Sequence, residues 1–292
     1  MNTSSDVQNR FALGALCMCV AMLGGTSIDI AVKALAPHYS TAQIVLLRSL
    51  FAIPLIFALV WHQVGLPALG RAGLAWQIWR GLLTAGANFG FFYGLIYVEL
   101  VTALMLAYVG PVLIVLLAKP LLGEQISMAR MVGVLIGFAG VLFVIQPGSV
   151  DVHPGILAIL GSALCWALLS ISNRQLATRV STPVLTFYTY PISLLLAAVF
   201  TYAEWGGAWQ TPVGWHWALF ATAGAGSLIA HGFAALAYRY AAAGAVAPFE
   251  YTALIWISLA GYVFWNEIPA WTVWVGGAAV ILGGYIALRS RS

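Results

Sequence analysis

Charge is what this chain has least of. Lys and Arg number 12 and Asp and Glu 8 in 292 residues, together 7%, against roughly 25% in a typical soluble domain. With 62% of its residues hydrophobic, the chain suits one compact membrane domain better than a membrane anchor carrying a soluble module. Its three cysteines, Cys17, Cys19 and Cys165, are an odd number without a CxxC pair, and Cys17 and Cys19 point to opposite helix faces. Neither a disulfide nor a metal site is expected from them. No HExxH and no GxxxxGK[ST] stretch occurs, so metalloprotease chemistry and ATP-driven work both lack their residues. The basic residues are scattered singly over loops, without the run or stripe that nucleic acid requires. The chain is therefore expected to need no cofactor and no metal, and to bind no nucleic acid. An intramembrane enzyme would further need a nucleophile with its base, and a channel a selectivity filter or a charged ring. Neither can be read here.

What is present is a ladder of ten apolar segments, roughly residues 11–35, 41–61, 79–97, 101–122, 129–146, 155–174, 184–203, 215–239, 244–265 and 270–288. Each is close to the about 20 residues that a membrane-spanning helix needs. The first run is too long for a signal-peptide core and reads as an uncleaved helix. Counted from a cytoplasmic N-terminus, the inner loops and helix ends hold Arg10, Arg71, Arg80, Lys119, Arg130, Arg174, Arg179, Arg239, Arg289 and Arg291. The outer side holds only Lys33, and Arg48 lies within a span. The positive-inside rule then places both termini in the cytoplasm of a multi-pass inner-membrane protein. Trp61, Trp76, Trp79, Trp205, Trp209, Trp215, Trp217 and Trp271 fall at predicted helix ends, where interfacial belts collect them.

The second half of the chain repeats the first. A shift of 141 residues overlays Gly14 on Gly155, Lys33 on Arg174, Ser40 on Ser181 and Thr41 on Thr182. A shift of 143 overlays Tyr97 on Tyr240, Tyr108 on Tyr251, Glu124 on Glu267, Gly133 on Gly276 and Gly140 on Gly283. Five spans per copy is an odd number, so the copies, residues 1–148 and 149–292, run through the membrane in opposite directions. Inverted repeats around a midplane site are the architecture of many secondary transporters.

The first copy carries R-G-L at Arg80, then Y-G-L-I-Y, Ala103, Pro111, Gly123-Glu124, Gly133, Gly137 and Gly140-Val141. The second carries A-L-A-Y, Ala247-Pro248, Asn266-Glu267, Gly276-Gly277 and Gly283-Gly284. Together with Arg48 between Thr41 and Pro54, this order resembles the ten-helix exporters of the drug/metabolite transporter superfamily. The resemblance covers nearly the whole chain. It implies an all-α membrane protein in which ten transmembrane helices, as two inverted five-helix repeats, surround a central cavity lined by helices 1, 3, 4, 6, 8 and 9. The fifth and tenth helices would be peripheral. Members export amino acids, metabolites or cationic drugs, so a small-molecule substrate is expected beside the lipid bilayer.

Charge in hydrocarbon is costly, so each intramembrane ionisable residue calls for a role and a partner. Asp29, Arg48, His231 and Glu250 qualify. Asp29 and Arg48 lie at similar depth below the outer side. They are either a structural ion cluster with Lys33 or cavity groups that bind substrate charge or a coupling proton. His231 and Glu250 share a depth near the inner side, where contact between them would make either a proton relay or a simple interhelical pair. The repeat offset maps His231 onto Asn88 and Glu250 onto Ala107. Aromatic residues well inside spans, Phe92, Tyr108, Trp166, Tyr251 and Trp256, read as cavity wall or as ordinary packing; rings suit flat apolar substrates and their ammonium groups. Gly86, Gly90 and Gly94 form a small-residue face that permits either close packing or sliding. The expected function is secondary transport of small metabolites by alternating access, with export of amino acids, aromatic ones included, ahead of export of flat organic cations as multidrug substrates.

Overall fold

The computed structural model of the chain describes residues 4–70, 73–97, 103, 106–125, 127–145, 154–203 and 209–265, and beyond them residues 271, 274–276, 278–279, 282–283 and 286. Apolar runs become helices because in hydrocarbon the backbone must satisfy its own hydrogen bonds. In order these are α1 (Ser4–Leu35), α2 (Thr41–Gln63), α3 (Leu74–Tyr97), α4 (Gly110–Leu122), α5 (Met128–Ile145) and α6 (Pro154–Leu176). There follow α7 in two pieces (Thr182–Phe187 and Tyr190–Ala203) and α8 (His216–Tyr240). Last is α9 in three pieces: Ala243–Val246, a 3-10 stretch Ala247–Thr252, and Ala253–Trp265. The described residues from 271 onward are helical where a tenth span is expected. Among the described residues six segments are long and apolar enough to cross a membrane, by length and composition. The expected hairpin between Tyr97 and Thr102 and the boundary at residue 148 lie outside the described residues.

The same packing is built twice. α1 lies along α8 and α3 lies along α6, the two most extensive helix pairs, and α4 meets α6 as α9 meets α1. Exchanging α1 with α6, α3 with α8 and α4 with α9 turns each pair into its counterpart. The repeat seen as residue offsets is thus present in space, and each copy packs chiefly against the other. Small residues allow this approach. A Cβ on Gly90 would stand 2.8 Å from the Ala158 carbonyl oxygen, and one on Gly94 2.9 Å from that of Gly155. Between α1 and α8, a Cβ on Gly24 would lie 2.7 Å from the Ala230 nitrogen. The glycine face of α3 serves tight packing.

Helix breaks fall at corresponding places. Residues 108–109 form a turn ahead of Pro111, and 247–252 form the 3-10 stretch around Pro248. Tyr108 and Tyr251, equivalent by the 143-residue shift, sit at these breaks, and their rings meet at 5.9 Å. Discontinuous helices are how transporter folds expose polar groups inside the membrane. α7 breaks ahead of Pro191: the Thr189 N–H turns to the Thr186 carbonyl (3.2 Å), and the Leu185 carbonyl accepts from Arg80 instead (3.0 Å). Arg80 was expected at a loop edge, with its span starting near residue 79. α3 starts at Leu74, and Arg80 is 0% exposed. Its guanidinium also donates to Gln77 Oε1 and to Asn173 Oδ1, both at 2.6 Å, tying α3 to α6.

One end of the bundle is held by a carboxylate. α4 stops at Gly123, whose φ of +68° places it in the left-handed region, and the Glu124 N–H reaches back to the Ala118 carbonyl (3.4 Å). This glycine-dependent helix end swings Glu124 towards the start of α9. There Glu124 accepts from the N–H groups of Ala243 (3.2 Å) and Gly244 (3.4 Å) and from Arg174 Nε (3.2 Å). Arg174 also donates to the Tyr238 carbonyl (3.0 Å). Four helices, α4, α6, α8 and α9, meet in this clamp. Towards the other end, Tyr39 Oη and His216 Nδ1 share a hydrogen bond of 2.7 Å, and Gln43 pairs with the backbone of Gln210 in both directions. Trp61, Trp76, Trp79, Trp215, Trp217 and Trp271 stay exposed, as an interfacial belt requires.

Candidate functional site

Between α1, α2, α3, α4, α6, α8 and α9 lies a cavity of about 240 Å³. α1 contributes Met22, Thr26 and Asp29; α2 contributes Arg48; α3 contributes Asn88, Phe91 and Phe92. The break before α4 supplies Tyr108, with Pro111 beside it, α6 supplies Ser162 and Trp166, α8 His231, and α9 Glu250, Ala253 and Ile257. Apart from Arg48, these come from the helices that the resemblance implied, and α5 stays outside. The lining is mostly apolar with a few convergent polar groups, the usual build of a small-molecule site.

Of the residues singled out in the sequence, Asp29, Arg48, Asn88, Phe92, Tyr108, Trp166, His231 and Glu250 meet on this wall. Asp29 and Arg48 interact electrostatically, yet they form no ion pair within 4.0 Å. The Arg48 guanidinium lies over the Phe92 ring, 5.6 Å from its centroid. Gly224 fixes the backbone there, since a Cβ on it would stand 2.8 Å from the Arg48 carbonyl oxygen. α2 and α8 therefore touch at this residue.

Glu250 is 4% exposed and has both oxygens engaged: Tyr238 Oη donates to Oε1 at 2.7 Å and Trp166 Nε1 to Oε2 at 2.9 Å. The direct contact expected between Glu250 and His231 is not made. Trp166 touches both instead, its ring 6.0 Å from the His231 imidazole at 49°, while the Tyr190 ring meets His231 edge-on at 6.1 Å and 89°.

Tyr251 and Trp256 do not line the cavity. The 3-10 stretch shifts the phase of α9, so Glu250, Ala253 and Ile257 face inward and Tyr251 faces α5. There its ring fills the notch left by Gly137, where an added Cβ would lie 2.6 Å from Cδ2. Trp256 instead donates from Nε1 to the Cys19 carbonyl of α1 (3.2 Å). Tyr238, the anchor of Glu250, was missed, because a tyrosine near a predicted helix end reads as an interfacial residue.

The model of the EamA-like transporter family matches residues 12–146 and again 153–289. The pseudopaline exporter CntI of Pseudomonas aeruginosa is 27% identical over 281 residues, 95% of this chain and 96% of its own. The S-adenosylmethionine uptake transporter of Rickettsia felis is 26% identical over 279 residues, 95% and 92% of the two chains. The riboflavin transporter of Rhizobium johnstonii is 27% identical over 296 residues, 97% and 93%. A solved crystal structure with 24% identity superposes with a TM-score of 0.82 over 94% of this chain and 96% of its own, a likeness of fold.

Proposed function

This chain belongs to the EamA-like transporter family, and on that basis we propose that it exports small zwitterionic metabolites, aromatic amino acids foremost, by alternating access across the inner membrane. That it is a multi-pass membrane transporter of small molecules, and not an enzyme, follows from the family and its named relatives. The finer reading is carried by one observation: a single intramembrane cavity holds a carboxylate, Asp29, and a guanidinium, Arg48, beside the rings of Phe92, Tyr108 and Trp166. Rings provide a surface for a flat side chain and for the ammonium group next to it.

Size supports the same reading. About 240 Å³ is below the range of about 300–1,000 Å³ for pockets that take drug-sized ligands. Export of flat organic cations, the competing function, is also disfavoured by Arg48, which a cation without a carboxylate would leave unpaired. Among the relatives, S-adenosylmethionine is named as one substrate, and that compound is itself an α-amino acid bearing a flat base. Alternating access draws support from the two-copy architecture and from the helix breaks beside the cavity. The two copies are taken as residues 1–148 and 149–292. An orientation with both termini in the cytoplasm is favoured by the basic residues, nine of which remain at the inner loops and helix ends against Lys33 outside once Arg80 is placed inside α3; labelling from outside of a single cysteine placed at Gln63 would overturn it.

The test is a counterflow panel in proteoliposomes containing aromatic and aliphatic amino acids, sugars and quaternary organic cations. Exchange of the amino acids is the expected result. Exchange of nucleotide sugars or of the cations alone refutes the reading.

A further inference from the structure

We propose that Arg48 is the carboxylate-binding residue of the cavity and that, facing Asp29, it restricts transport to compounds carrying both signs of charge. The inference rests on the amino-acid reading above and names the residue that separates zwitterions from plain amines.

The first ground is how the fold treats its other cations. Arg80, wholly buried, has acceptors in Gln77, Asn173 and the Leu185 carbonyl, and Arg174 has Glu124 and the Tyr238 carbonyl. Arg80 and Arg174 each find at least two oxygen acceptors, although Arg80 Nε has none. Arg48 is 5% exposed and lines the cavity, yet none of its five N–H donors has an acceptor among the described residues. Leaving a buried charged donor without a partner is costly. The partner must come from what enters the cavity: water when it is empty and an anionic group when it is loaded.

The second ground is that the residue is held in position. Its backbone abuts Gly224 of α8 and its guanidinium carbon stands over the Phe92 ring, 5.6 Å from the centroid. A guanidinium fixed in this way offers two parallel N–H groups, the geometry that a carboxylate accepts bidentately.

The third ground is the neighbouring charge. Asp29 opens on the same cavity, makes no hydrogen bond among the described residues, and does not close an ion pair with Arg48. A simple acid drawn to Arg48 meets Asp29 and Glu250; a simple amine drawn to Asp29 meets Arg48. Only a compound with both groups finds an opposite charge at each, so the repulsive elements do as much for selectivity as the attractive ones.

The probes are L-phenylalanine, phenethylamine, which lacks the carboxylate, and 3-phenylpropionate, which lacks the amine. Competition against phenylalanine counterflow is measured in proteoliposomes for the wild type, Arg48→Gln and Arg48→Lys. For the wild type, both truncated compounds are expected to compete about ten- to a hundredfold more weakly than phenylalanine, the loss that follows from removing a charged hydrogen bond. In Arg48→Gln the advantage of phenylalanine over phenethylamine should collapse to near unity. Arg48→Lys, which keeps the charge but not the fork, should retain part of it. Wild-type protein on which phenethylamine competes as well as phenylalanine overturns the assignment without any variant, and so does Arg48→Gln with an unchanged ratio. If the wild type takes none of the three while exchanging another metabolite, the amino-acid reading itself fails, and the assignment with it.

Discussion

Two carboxylates of this chain, Glu124 and Asp29, receive opposite treatment from the same fold. Glu124 gathers two backbone N–H groups and a guanidinium from α9 and α6, and so ties these helices to α4 at one end of the bundle. Asp29 has no hydrogen bond among the described residues and looks onto a cavity whose Arg48 has none either. In a solvent without water, a charge that the protein satisfies is part of its frame. One left unsatisfied at the wall of a cavity is kept for an occupant. The clamp and the cavity are thus built from the same residue types, and the hydrogen-bond inventory tells them apart where composition does not.

The comparison breaks most easily at Asp29. Asp29→Asn removes the charge and leaves the shape, so phenylalanine counterflow should fall about ten- to a hundredfold, the range for losing a charge-assisted contact. Thermal stability should hold or rise slightly, because an amide is cheaper to bury than a lone carboxylate. Activity is read in proteoliposomes and stability from the midpoint of heat-induced aggregation. If the midpoint drops in step with transport, Asp29 is structural and the contrast with Glu124 disappears.

Glu124→Ala should give the reverse pattern. Two N–H groups and the Arg174 guanidinium lose their acceptor at once, a cost of about 2 kcal/mol for a partly exposed charged network. The thermal midpoint should fall by several degrees while phenylalanine still protects the remaining folded protein against heat. Loss of that protection without loss of stability would show that the clamp belongs to the binding apparatus.

How far this division can be read from sequence depends on the residue. Apolar run length reveals the helices, because nothing else satisfies a backbone in lipid, and the odd span count of each copy implies inversion. Asp29, Arg48, Asn88 and His231 stand out as polar groups far from any helix end, and they meet at the cavity. Tyr251 and Trp256 look equally suitable, but a 3-10 stretch that no residue pattern announces turns them away, Tyr251 into the notch at Gly137. Arg80 reads as a loop residue until its neutral acceptors on α6 and α7 are seen. Glu124 and Arg174 lie 50 positions apart, and no local pattern pairs them. Residue depth is legible because it follows from counting along a run; helix phase past a break, and partners across the bundle, are not.

The smallest expected effects arise at Tyr238, the one residue shared by both regions. Its carbonyl accepts from Arg174 in the clamp, and its hydroxyl donates to Glu250 on the cavity wall. Tyr238 thus links Glu250 to the clamp by two hydrogen bonds, and a proton on Glu250 that favours one of two states over the other would shift their balance. Glu250→Gln tests this with little structural disturbance. The amide oxygen can still accept from Trp166 Nε1, and its NH2 can donate to the tyrosine oxygen, so stability should stay within about 0.5 kcal/mol. What the variant loses is the ability to take up a proton. Initial counterflow rates measured across pH 5 to 8, the range roughly spanned by physiological proton sensing, should therefore become flat in Glu250→Gln. Tyr238→Phe, which keeps the carbonyl and so the clamp but cuts the link to Glu250, should cost about 1 kcal/mol for the lost hydroxyl and damp the pH dependence. A Glu250→Gln protein with the wild-type pH profile would remove Glu250 from coupling and leave it as the anchor that orients Trp166 at the cavity wall.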